Sequence, residues 1–96
     1  MSPHKRKKLS KIRSELDKLD NTLIKVIKKR TILVNKVLAL KDKKNQIVDQ
    51  RRIRLILKNI KKKSIRHGID YKITTRIWKS MIWAYVYYQR KNFKKK

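Results

Sequence analysis

The sequence predicts an all-α protein of three helices, a long N-terminal one followed by two shorter ones. Three observations predict it. One Gly and one Pro among 96 residues leave little material for tight turns. Apolar residues recur at steps of three and four, and the alternation of a half-buried strand is absent. Leu, Ile, Lys and Arg dominate the composition, as in helical proteins.

The first helix is expected from about Lys7 to about Asp42, a stretch with no Gly or Pro. Its apolar seam runs Leu9, Ile12, Leu16, Leu19, Leu23, Val26, then Leu33, Val37 and Leu40. The heptad count puts Arg30 where the next apolar residue belongs. A second stripe runs Asp20, Leu23/Ile24, Ile27, Val34 and Leu38, and extends back to Arg13 and forward to Lys41. The stretch KDKKNQ breaks the pattern. Asp49 is the expected N-cap of a second helix with the stripe Ile53, Ile56, Leu57, Ile60. That helix should end near His67-Gly68, with Gly68 in the left-handed position. Asp70 then caps a third helix carrying Ile73, Ile77, Met81, Ile82, Tyr85 and Gln89 along one side. The chain reads as a single helical domain, residues 1–96, with basic ends at 1–6 and 92–96 expected to fray.

Length adds a constraint. A helix of about 36 residues is ~54 Å long, whereas a compact chain of this size has a radius of gyration near ~13 Å. Two short helices cannot cover the whole seam of the long one. The expected solution is an intertwined homodimer with antiparallel long helices. A kinked monomer would need a breaker near the middle of the first helix, and none is present.

Composition excludes several function classes. With no Cys there is no disulfide framework and no thiolate metal site. His4 and His67 are isolated and lack metal-ligand spacing. No signal peptide or membrane span is visible, and a cytoplasmic location is expected. The formal net charge of +25 calls for an anionic partner. Lys, Ile and Asn are read from A/T-rich codons, so compositional drift is an alternative source of much of the surface lysine.

The inward cations are more specific. Arg13, Arg30 and Lys41 border the apolar faces of the first helix, Arg52 adjoins the stripe of the second, and Gln89 continues the stripe of the third. One such cation ordinarily snorkels or finds a structural carboxylate. Several on converging faces, with six acids in the whole chain, suit a small dicarboxylate. Arg13 and Arg30 lie ~25 Å apart along one helix, so one small ligand meets both only if a second chain supplies one of them.

In these blocks the sequence resembles the all-helical chorismate mutase family, including the related isochorismate-pyruvate lyases. IRSELDKLD (12–20) resembles the N-terminal signature. KKRTILVNKVLALK (28–41) resembles the block with Arg and, eleven residues on, Lys. IVDQRRIRLIL (47–57) resembles the Asp-x-x-Arg block, and IWKSMIWAYVYYQ (77–89) the final helix with its Gln. The resemblance implies a chorismate mutase, an isomerase of the shikimate pathway that makes prephenate for aromatic amino acid biosynthesis, with no cofactor and no metal. It implies that Arg13 of a partner subunit and Arg30 hold the substrate carboxylates. Lys41 and Gln89 would face the ether oxygen, Arg52 would support the site, and Asp49 would contribute at the loop.

Two positions depart from the family pattern. Ile53 stands where mutases carry a Glu that contacts the substrate hydroxyl, and Tyr85 stands where many have a small polar residue. Both resemble the lyases, so isochorismate-pyruvate lyase is the alternative reaction. A reading from another class is a basic helical nucleic-acid-binding protein, suggested by KRKK (5–8) and the KKK runs. It is disfavoured because the aromatics cluster on the third helix, where core packing is expected, and no recognised nucleic-acid motif is present.

Overall fold

The computed structural model describes residues 1–95. Three α-helices appear in the expected order: α1 (Pro3–Ala39), α2 (Gln50–Arg66) and α3 (Tyr71–Asn92). A 3₁₀ turn, Lys44–Gln46, lies between α1 and α2. The described residues contain no strand. They form two compact units, Met1–Leu33 and Val34–Lys96 by chain position.

The first unit is helical from Pro3 onward. The helix begins about four residues before the expected Lys7. Ser2 acts as the cap: its Oγ accepts from Lys5 N at 3.2 Å, and its carbonyl accepts from Arg6 N at 2.9 Å. Pro3 follows at the first helical position, where a missing N–H costs nothing. No residue of α1 is buried. Leu19 and Leu23 remain 61% and 56% exposed.

The second unit holds the core. α1 ends at Ala39, three residues short of the expected Asp42. Leu40 N and Lys41 N bond back three residues, to Val37 O and Leu38 O, tightening the last turn. Gln46 Oε1 then takes Asp42 N at 2.8 Å and Lys43 N at 2.9 Å. Those donors go to a side chain instead of to another helical turn.

Asp49 caps α2 by accepting from Arg52 N at 3.0 Å. Ile53, Ile56, Leu57 and Ile60 are half-buried, as the stripe required. Ser64 extends the stripe by one more turn and is buried. Its Oγ bonds Ile60 O and lies 2.7 Å from Thr74 Oγ1 on α3. A buried hydroxyl pair thus satisfies itself where α2 meets α3.

Gly68 has φ +68° and closes the turn, with Gly68 N bonded to Ile65 O and Ile69 N to Ser64 O. Asp70 caps α3 through Lys72 N at 2.9 Å. Ile47, Ile82 and Val86 form the buried cluster, with Leu38, Val48, Ile53, Ile56, Leu57 and Phe93 packed around it. Phe93, within the 92–96 end expected to fray, packs against that cluster, while Lys94 and Lys95 are exposed and Lys96 lies outside the described residues. Tyr88 Oη donates to Asn35 Oδ1 at 2.9 Å and ties α3 to the last turns of α1. Among the described residues, no helix is long and apolar enough to cross a membrane.

Candidate functional site

The second unit brings together Lys41, Asp49 and Gln89. Lys41 stands just past α1, where the tightened turn aims its side chain back over the segment that follows. Its Nζ donates to Ile47 O and to Gln89 Oε1, both at 3.3 Å. Gln89 lies one helical turn beyond Tyr85 on α3 and is 8% exposed. With Oε1 accepting from the ammonium, its NH₂ is the donor end of the amide.

The electrostatics follow from this placement. Burial lowers the Lys41 pKa from its ordinary value by disfavouring the charged form, and the negative charge of Asp49 partly offsets the shift. A partly desolvated ammonium backed by neutral oxygens, with a carboxylate only nearby, keeps much of its charge available for an incoming anion.

The other expected site residues divide as follows. Asp49 uses its side chain as the α2 cap. Arg52 is exposed and meets Asp49 through its backbone N–H. Ile53 packs against the apolar cluster. Tyr85 is half-buried and meets Tyr88 edge to face, with centroids 6.4 Å apart and rings at 87°.

Arg13 and Arg30 belong to the first unit. Arg13 is exposed, in an open groove along α1 lined also by Arg6, Leu9, Ser10, Ser14 and Asp17. Arg30 is half-buried, and its Nε is shut off from water without a hydrogen-bond partner. Among the described residues it is the buried side-chain nitrogen or oxygen in that condition. A guanidinium in an apolar seam with a dry, unpaired N–H is poorly explained by stability, because an unmet buried donor costs about 1–3 kcal/mol.

Sequence reasoning missed Ile47 and its carbonyl, one of the two oxygens that hold Lys41. A backbone acceptor in a loop carries no side-chain signal, although an apolar residue between KDKKNQ and the Asp49 cap hinted at burial.

Comparison with known proteins adds one match. The family model for chorismate mutase type II matches residues 12–90, most of the chain and every block described above. Neither a curated protein nor a solved structure matches the chain.

Proposed function

Because the chain belongs to the chorismate mutase type II family, we propose that its reaction is the rearrangement of chorismate to prephenate. The observation that carries this reading is the Lys41–Gln89 pair, a partly desolvated ammonium hydrogen-bonded to a buried amide. The reaction breaks one C–O bond and makes one C–C bond within a single molecule. It gains and loses no atoms, and needs no nucleophile or redox group. The protein has to hold a flexible dianion in its folded conformer and stabilise negative charge that grows on the ether oxygen. Lys41 and Gln89 suit the second task, since both present N–H donors. Arg13 of a second copy and Arg30 suit the first, because guanidinium forks match carboxylates.

In this reading Gln89 holds the ammonium in place before substrate arrives, and Asp49 moderates its pKa. Arg52 supplies charge at the start of α2. Ile53 and Tyr85 form apolar boundaries, and this is the feature that keeps isochorismate-pyruvate lyase as the second reading. The clamp for the two substrates is much the same, and the lyase releases pyruvate.

The protein is proposed to work as a homodimer. Its buried apolar cluster is small, with Ile47, Ile82 and Val86 at its centre, while the α1 seam stays open to water. A stable fold needs that seam covered, and a second α1 offers the matching heptads. The function is tested by incubating the purified protein with chorismate and identifying the product by NMR. Prephenate supports the assignment; unchanged chorismate rejects it.

A further inference from the structure

α3 carries a face that neither the apolar cluster nor the proposed site uses. Lys72, Arg76, Lys79, Trp83, Tyr87 and Arg90 follow one another at steps of three and four. At 3.6 residues per turn they fall within an arc of about 80° and run ~27 Å along the axis. All six are exposed, Trp83 at 49% and Tyr87 at 70%. α3 contains no Asp or Glu. At its N-terminal end the stripe opens into a hollow of about 530 Å³ lined by Tyr71, Lys72, Ile73, Thr75, Arg76 and Lys79. There Lys61 of α2 lies over the Tyr71 ring, 4.6 Å from its centre.

The sequence suggested that the aromatics of this helix pack inside. Trp83 and Tyr87 do not. Helical spacing puts Val86 and Gln89 inward, and that turns positions 83 and 87 to the solvent side with the cations.

We propose that this stripe is a binding surface for single-stranded nucleic acid. The cations supply a track for phosphates, and the two rings supply platforms on which unpaired bases stack. Charge complementarity is strong: the chain carries a net +25, and no carboxylate of α3 competes for the cations. An anionic membrane is a poorer fit. An interfacial helix needs a broad apolar face to insert, and here two aromatics are set among four cations. The exposed Ile73 and Ile77 lie about 80° and about 120° round the helix from the middle of the stripe. The proposal does not depend on the catalytic reading, since none of the six residues belongs to the proposed substrate site.

The test uses the full-length protein and fluorescein-labelled oligo(U), with a mixed-sequence duplex of equal length, read by anisotropy over a salt series. Native protein is expected to bind the single strand tighter than the duplex. The double variant Trp83→Ala/Tyr87→Ala should lose at least about tenfold in single-strand affinity with its salt slope unchanged. Arg76→Gln/Lys79→Gln should reduce the slope of log K against log salt by about 1.4. Helical circular dichroism and turnover of chorismate should stay at native values in each variant. Three results would overturn the proposal. One is equal binding of strand and duplex. The second is native affinity in the Trp83/Tyr87 variant. The third is an equal loss from the control Lys58→Gln/Lys62→Gln on α2, which would assign binding to overall charge. Phosphatidylserine vesicles that bind through Trp83 and Tyr87, with oligo(U) binding absent, would replace nucleic acid by a membrane.

Discussion

Replacing Arg30 by leucine separates stability from function. The substitution restores the heptad seam and removes the Nε–H that is buried without a partner. Relief of that unmet donor is worth about 1–3 kcal/mol. A half-exposed leucine adds less than the ~1.5–3 kcal/mol of a fully buried one. The variant should therefore be as stable as the native protein or more so, by up to about 3 kcal/mol. For a domain of this size each kcal/mol moves Tm by roughly 4–8 °C. Catalysis should move the other way. Losing a charged fork on a substrate carboxylate costs about 3 kcal/mol, or roughly 100-fold in kcat/KM. Thermal circular dichroism and the loss of chorismate absorbance read the two effects in one preparation. Native turnover in a stabilised variant would refute the reasoning and make Arg30 a packing residue. A fall in Tm would show that the guanidinium's stem, not its unmet N–H, dominates the local energetics.

Other outcomes follow from the same geometry. Lys41→Met keeps the stem and removes the charge, so kcat should fall ~100–1000-fold with a much smaller change in KM; a raised KM with native kcat would make Lys41 a binding cation only. Gln89→Leu should slow turnover less, because a neutral amide gives a weaker bond than an ammonium. The proposed role of Lys41 needs its charged form, and burial lowers its pKa, so on that proposal kcat/KM should fall on an alkaline limb that lies below an ordinary lysine. The bound dianion favours the ammonium, so the limb in kcat should lie higher; coincident limbs, or a limb that persists in Lys41→Met, would assign it elsewhere. The sign for folding is opposite to that for activity. Between the folded pKa and the ordinary lysine value the unfolded chain holds more protons, so this group's contribution to stability rises with pH. Ile53→Glu puts a carboxyl against the apolar cluster and should cost about 1–3 kcal/mol in urea unfolding; an unchanged midpoint would mean that the side chain can leave the cluster freely. Sedimentation equilibrium at micromolar concentration should give a dimer, and a well-folded monomer would defeat the shared-site reading.

Much of the fold was legible because it rests on local chemistry. Asp49, Gly68 and Asp70 each do what their side chain or backbone permits, at the positions the heptad breaks require. The ends of α1 were less legible. Ser2-Pro3 is a capping signal hidden behind a run of basic residues. The early stop at Ala39 depends on Gln46, which takes two backbone donors from across a loop. Within the candidate site, Lys41 and Gln89 were readable as polar residues in apolar stripes, and they do meet. Asp49 was read as a cap and, by resemblance, as a substrate contact at the loop; its influence on the Lys41 charge was not read, because it depends on a tertiary approach that spacing cannot encode. The stripe Ile73, Ile77, Met81 was expected to face inward throughout. Its first two members are more than half exposed, whereas Thr74 and Trp78 beside them are half-buried and Thr74 meets Ser64 of α2. The inward face of α3 passes through Thr74, Trp78, Ile82, Val86 and Gln89, so a stripe traced through apolar residues alone was aimed off the face that α2 covers.

The central claim is that Lys41 and Gln89 serve a mutase whose Glu position is occupied by Ile53. It is tested most directly by the specificity constants of the native protein on chorismate and on isochorismate, with products identified in both reactions. The account predicts a higher kcat/KM on chorismate, with prephenate as the product. A clear preference for isochorismate, with pyruvate and salicylate released, would contradict it and assign the same cation clamp to the lyase reaction.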